Sequence, residues 1–215
     1  MPDMLGDPSK EVIFLRKNFR LFRKLVKQTH FNLKEIEALA LIYLKVINDR
    51  GPMTRSSFRD ILHAGFDFTE NIRHLLIDRI FSVLTEQNAL HLDLERWIKA
   101  LSLTLRGTLS ERSKAAFKVY DSLMCGKVRR EQIYLNMRGC LVGLGDEDQA
   151  ESLKDLVEMI LKNLDLGRDG HINEADFRQA ADKNPLLLEC MGPVFPSREA
   201  CHAFSMTFTR SARDF

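Results

Sequence analysis

The chain has 215 residues, 45% of them hydrophobic and 29% charged, which is the make-up of a folded globular protein and excludes disorder as its main state. That length accommodates one large domain or two packed lobes, with enough chain to bury a sizeable core. Formal net charge is +2 and the sequence pI about 8.3, and no apolar run approaches the roughly 18 residues of a membrane span.

After a short leader containing proline and aspartate, residues 11–28 predict a basic helix with Val12, Leu15, Phe19, Phe22, Leu25 and Val26 as its apolar side. Seven basic residues (Lys10, Arg16, Lys17, Arg20, Arg23, Lys24 and Lys27) stand against Asp3, Asp7 and Glu11 within residues 1–30. Such a patch is either a solvated helix face whose aromatics pack on the body, or a face that meets an acidic partner, a membrane surface or nucleic acid. Proline also follows Met1 where N-myristoylation needs glycine.

Four segments downstream share one frame. The EF-hand loop wraps a hard cation in oxygen ligands from positions 1, 3, 5, 7, 9 and 12, with glycine at position 6 for the sharp turn. Laid on that ruler, 46–57 is the faintest match, with Gly51 at position 6, Met53 at position 8 and Phe58, Ile61 and Leu62 on the outgoing helix. In 85–96, Leu92 holds position 8, but Thr85, Gln87 and Ala89 replace early ligands. Arg96 puts a fixed positive charge where the bidentate glutamate belongs. Segment 121–132 keeps Gly126 and Val128 at positions 6 and 8, while Leu123, Cys125, Arg129 and Gln132 occupy ligand positions 3, 5, 9 and 12.

The clearest match is 165–176, read DLGRDGHINEAD. Asp165, Asp169, His171 (through its carbonyl), Asn173 and Asp176 fall on positions 1, 5, 7, 9 and 12, with Gly170 at position 6 and Ile172 at position 8. Gly167 brings no side-chain oxygen to position 3, and Asp176 is a methylene shorter than glutamate. A weakened or vestigial cation site is expected, with weak calcium binding, magnesium, or no metal at all. Helical spacing in Leu153, Leu156, Val157, Ile160, Leu161 and Leu164 before the loop, and in Phe177, Ala180 and Ala181 after it, completes a helix-loop-helix unit.

Loop starts at 46, 85, 121 and 165 are spaced at the repeat length of tandem EF-hands. The hydrophobic frame persists where ligands do not, so shape is retained ahead of ion binding, in keeping with the near-neutral charge. The expected fold is all-α, with tandem EF-hand units in two packed lobes and most loops degenerate. Its parts are a leader and basic helix (1–30), an N-terminal EF-hand-like pair (31–105), a C-terminal pair (106–183) and a C-terminal helix and tail (184–215). In the tail, Pro185 starts a short helix whose Leu186, Leu187 and Leu188 form an apolar face that fills the protein's own groove or meets a partner. Phe204, Phe208 and Phe215 then lie in polar surroundings, in a segment expected to lie on the body or on a partner as an extended arm.

Nucleotide, zinc-protease and serine-hydrolase motifs are all missing, so an enzyme is not expected. Cys125, Cys140, Cys190 and Cys201 show no CxxC spacing and are expected as reduced thiols in the cytoplasm.

The stretch from Phe81 through Trp97 to LSLTLRGTLSERSKAAFKVYD, then LKDLVEMILKNLD and NPLLLECMGPVFP, resembles the calaxin family of EF-hand proteins of cilia and flagella. The likeness covers most of the chain and reaches FNLKEIEALALIYL and FRDILHAGF, and Asp176 at position 12 of the last loop is similar to the family pattern too. It implies a non-catalytic adaptor of the cytoskeleton in the ciliary or flagellar axoneme. The implied partners are the docking-complex coiled coils of the outer dynein arm, dynein or the doublet microtubule, with neither nucleic acid nor membrane among them. Family members keep acidic ligands in three loops and convey calcium to dynein, so the ligand losses here imply that calcium sensing is reduced or lost. Two alternatives stand: a calcium-responsive regulator of dynein working through 165–176 alone, and a regulatory subunit of an enzyme in the manner of calcineurin B.

Overall fold

The computed structural model describes residues 8–68, 74–85, 89–138 and 146–209; Gln87, Cys140 and Phe215 lie outside them. Helices α1 (Pro8–Val26), α2 (Leu33–Arg50), α3 (Arg55–Phe66), α4 (His74–Leu84) and α5 (Leu94–Arg106) come first. After them come α6 (Leu109–Tyr120), strand β1 (Lys127–Arg129), α7 (Arg130–Met137), α8 (Asp146–Leu164), strand β2 (His171–Asn173) and α9 (Glu174–Lys183). A 3-10 turn (Pro185–Glu189) and α10 (Arg198–Met206) close the order. The fold is all-α and of EF-hand type, and among the described residues its strands are the three-residue pair at the loops.

Two compact units divide the chain. Unit 1 comprises Met1–Glu70, Leu84–Gly107 and Pro196–Phe215, and unit 2 comprises Asn71–Val83 and Thr108–Phe195. Gly107 ends α5 at this division, where a Cβ would stand 2.3 Å from the carbonyl oxygen of Leu103, so the backbone can close there only without a side chain. Thr108 then starts α6 through a reciprocal cap with Glu111, satisfying two of the N–H groups that a helix start leaves open.

In unit 1, α1 packs on α2 and α5. Phe22 and Leu25 of α1, Ile36, Leu39 and Ala40 of α2 and Ile98 of α5 are fully buried. The apolar side expected of the first helix divides in two. Phe22 and Leu25 face the core, whereas Val12, Phe19 and Val26 remain exposed, because at 100° per residue the set spans a wider arc than the neighbouring helices cover.

The last described helix of unit 1 is α10, which lies on the body as expected of this segment but as a helix and not as an extended arm. Ser197 caps its start by accepting the N–H of Ala200, and α10 packs against α3 and α5. Phe204 stacks on Phe66 with centroids 4.5 Å apart, and Phe208 meets both Phe204 and Phe31 edge-on at 5.8 Å. This aromatic chain, worth about 0.5–1.5 kcal/mol per pair beyond area burial, orders the segment despite its polar sequence.

Unit 2 centres on Phe177 of α9, fully buried, with the rings of Phe117 and Tyr120 of α6 each 6.0 Å away. The 3-10 turn seats itself on α6 and α9. Three residues per turn send three consecutive leucines in three directions, so Leu188 is buried, Leu187 half-buried and Leu186 84% exposed; the apolar face expected of Leu186 to Leu188 is reduced to Leu188 with part of Leu187. Tyr120 anchors the chain on either side of the turn's end. Its hydroxyl donates to the carbonyl of Gly192 at 2.6 Å and lies 3.2 Å from that of Leu188, and burial pushes the phenol above its ordinary pKa, keeping the donor proton in place. One oxygen of Glu189 accepts the N–H groups of Val194 and Phe195, both at 2.7 Å.

Replacing Tyr120 with phenylalanine removes that donor and little volume. A loss of about 1–2 kcal/mol in urea unfolding is expected, with earlier proteolytic cutting within 185–195; unchanged stability and cutting would show that Glu189 and Leu188 suffice.

Candidate metal centre

Leu164 ends α8 and delivers Asp165 to the start of the last loop. Its carboxylate accepts the N–H groups of Asp169 (3.2 Å) and Gly170 (2.8 Å), bending the chain around itself. The turn needs left-handed backbone at Arg168 (φ 54°) and Gly170 (φ 81°), and at the second of these glycine removes the steric cost. Beyond it β2 leads into α9, whose N-cap is Asn173: its Oδ1 accepts the N–H of Asp176 at 2.9 Å and its Nδ2 donates to Asp176 Oδ2 at 2.8 Å. His171 places Nδ1 2.9 Å from Asp169 Oδ1.

Calcium takes roughly six to eight oxygens, and this set falls short. Asp165, Asp169, Asp176 and the His171 carbonyl are the donors free of the helix cap, while Asn173 Oδ1 at position 9 already accepts the N–H of Asp176 at the helix start. Asp169 is engaged by His171, and Asp176 by Asn173. Among the described residues no group of three or more His, Cys, Asp or Glu side chains is gathered closely enough to hold a metal ion. The gap has a definite place: a Cβ on Gly167 would sit 3.6 Å from Asp176 Oδ2 and 3.9 Å from Asp169 Oδ2, between the carboxylates that should converge.

The neighbouring loop 121–132 has the same backbone with different chemistry. Asp121 accepts the N–H groups of Cys125 (3.2 Å) and Gly126 (2.7 Å), and Met124 (φ 53°) and Gly126 (φ 75°) repeat the left-handed pair. Position 12 is closed by a neutral amide. Gln132, buried, accepts the N–H of Arg129 at 2.9 Å and donates to Ser122 Oγ at 3.2 Å, tying the loop's end to its beginning as a bidentate carboxylate would do through an ion. Strands β1 and β2 join the two loops antiparallel with Val128 opposite Ile172, both fully buried.

The loops of unit 1 have gone further from the ion-binding form. Helix α2 continues to Arg50, so the first five positions of 46–57 are helical rather than looped. In 85–96, Arg96 turns its guanidinium to Asp93 at 2.8 Å, pairing position 12 with position 9. The N–H of Leu92 donates to the carbonyl of Met53 at 2.9 Å, joining the two position-8 residues, again both fully buried.

One role is not apparent from the loop pattern alone. Position 9 is the N-cap of the outgoing helix in every hand: Thr54, Asp93 and Asn173 accept the N–H three residues on, and where Arg129 cannot, Gln132 reaches back instead. The retained polar residues there are explained by helix initiation. The signal for it in the sequence is a Thr, Asp or Asn three residues before position 12.

No family model matches the chain. Among curated proteins it is 34% identical over 182 residues to calaxin of Danio rerio, covering 81% of this chain and 85% of that protein. To calaxin of Homo sapiens it is 31% identical over 193 residues, covering 86% and 90%. The chain belongs to the calaxin family. More distant is calcineurin B of Schizosaccharomyces pombe, 26% identical over 161 residues with 74% and 87% covered. Matches of this extent to the calaxins run through the paired loops described above, so this family member combines the shared EF-hand frame with loops closed by their own side chains.

Two substitutions check this account. Gly167→Asp supplies the oxygen missing from position 3 at a site with ordinary van der Waals clearance, and calorimetry should show calcium affinity rising about tenfold or more, equivalent to about 1.4 kcal/mol. Gln132→Ala should lower the melting stability of unit 2 by about 1–2 kcal/mol equally in calcium and in chelator; a loss that calcium reverses would mean that loop 121–132 still serves an ion.

Proposed function

We propose that this protein is a non-catalytic adaptor of the ciliary or flagellar axoneme, working with the docking complex of the outer dynein arm, and that its shape no longer depends on calcium. The observation that carries this reading is the contrast between the buried Val128 and Ile172 pairing and the closure of loop 121–132 by Gln132. A protein under selection for ion sensing keeps its ligands, whereas one under selection for form keeps its pairing residues and closes the loops by other means. Membership of the calaxin family supports the axonemal setting, and the partners proposed are docking-complex coiled coils, dynein or the doublet microtubule.

A second reading is favoured by one feature. Asp165, Asp169 and Asp176 survive on an intact loop backbone, which would let 165–176 alone act as a calcium-responsive element. With three carboxylates and no position-3 oxygen, affinity no better than roughly 10⁻⁴ to 10⁻³ M is expected, and magnesium, which keeps some of its waters, suits the short Asp176 better. A switch needs a ligand with strongly different affinity for two states, and so weak a site supplies little bias.

The test is localisation of the tagged full chain in ciliated cells, as parent and as Asp165→Ala with Asp176→Ala. Both should remain on the axoneme after detergent extraction, with copurifying docking-complex coiled coils. A mutant that leaves the axoneme or loses a calcium-dependent change in beating supports the second reading, and a parent that copurifies with a phosphatase instead overturns the adaptor assignment.

A further inference from the structure

The outer side of α1 carries an apolar line that the described residues of unit 1 leave exposed. Val12, Phe19 and Val26 are 47%, 44% and 38% exposed, while Phe22 and Leu25 on the adjoining face are fully buried. These three residues recur every seventh position, so they stand in one row along the helix, about 21 Å long at 1.5 Å per residue. Ile13, 65% exposed, stands about 100° round the helix from Val12, beyond Arg16 and Arg20, and is not part of the row. Single exposed apolar residues are ordinary on a protein surface; three in register along one helix are a seam.

The border of the seam has one sign of charge. Arg16 and Arg23 each follow a seam residue by four positions, and Arg20 and Lys27 lie next to them around the helix; all four are exposed. Glu11 is the single acidic residue of α1. Lys24, further round, is held by Glu95 of α5 at 2.9 Å, which helps seat the helix on unit 1 and fixes the direction in which the seam points.

We propose that this seam docks an acidic amphipathic α-helix of another protein, with apolar residues on Val12, Phe19 and Val26 and carboxylates on Arg16, Arg20 and Arg23. The seven-residue period favours a helix, because it is the repeat of one of the two apolar positions of a coiled-coil seam; the other position here, Leu15 and Phe22, is half-buried and buried in unit 1. A bilayer surface calls for a broad apolar face, and the broad face of α1 is already buried in unit 1. A second copy of this chain would set one arginine row against another, and like charges across an interface oppose association. The inference rests on the adaptor reading and deepens it by naming a contact face and the chemistry of its occupant.

The experiment uses the full chain and a fluorescein-labelled helical peptide with leucine at heptad positions a and d and glutamate at e and g. Controls are the same peptide with glutamine for glutamate, and vesicles of phosphatidylcholine with phosphatidylserine. The parent should bind the acidic peptide, more tightly at low salt because exposed charges are screened beyond about 8 Å at physiological ionic strength. Phe19→Ser should weaken binding about tenfold or more. Arg16→Glu with Arg23→Glu should weaken it comparably, and Lys10→Glu with Lys17→Glu, on the far side of the helix, should weaken it much less. Circular dichroism and thermal melting confirm that these surface variants fold. Absence of binding by the parent, equal binding of the glutamine peptide, Phe19-dependent capture by vesicles without peptide binding, or a dimer that Phe19→Ser dissolves would each overturn the proposal. Axonemal localisation reads the two ideas apart: peptide binding by a protein absent from the axoneme overturns the adaptor setting alone, and an axonemal protein with no peptide binding overturns the seam alone.

Discussion

The backbone pairing between loops is the constraint on which the rest of the structure depends. Val128 opposite Ile172 in unit 2, and Met53 joined to Leu92 in unit 1, place one buried aliphatic side chain from each loop against the core. The outgoing helix of each loop then starts two residues after its paired position, at Arg55, Leu94, Arg130 and Glu174. An ion in such a loop adds stability in proportion to the logarithm of its occupancy, but it does not choose which helices meet. Ligands can therefore be lost one after another while the architecture stands, provided that the freed backbone N–H groups and carboxylates find new partners. Asp121, Gln132 and the pair Asp93 and Arg96 show three ways in which this has been met.

Occupied grooves point the same way. Where a calcium-sensing EF-hand pair opens to receive a target helix, α6 and α9 already hold the 3-10 turn and α3 and α5 already hold α10. A segment of the same chain competes at high effective concentration, so an outside helix would have to displace aromatic contacts such as Phe66 with Phe204 before gaining its own. A binding face elsewhere, away from both grooves, is consistent with that economy of contacts.

Much of this is readable from the sequence because the governing residues act locally. Gly126 and Gly170 announce positive φ, and the buried β-branched residue two positions later announces the pairing, whatever surrounds them. Other features depend on tertiary partners. Helix α10 reads as an arm in sequence since Phe204 and Phe208 sit among polar residues, and only Phe31 and Phe66, far away along the chain, make them a core. Helix α1 reads as one apolar side because periodicity records which residues share a face and not how much of that face a neighbour can cover. At the candidate site, Asn173 fits the ion and the cap equally well by position, and the hydrogen bond to the N–H of Asp176 places its oxygen at the helix start. The helical start of 46–57 gives no warning, as VINDR contains no residue that stops a helix.

The placement of the C-terminal segments has a genetic corollary. A chain stopped after Lys183 would retain helices α1 to α9, so every helix-loop-helix unit would be synthesised. It would nevertheless lose the partner of Tyr120 in one unit and the aromatic stack on Phe66 in the other. Late truncations in such a protein are therefore lesions of folding and abundance and not of a dispensable tail, and they belong with core substitutions when inherited variants are sorted by severity.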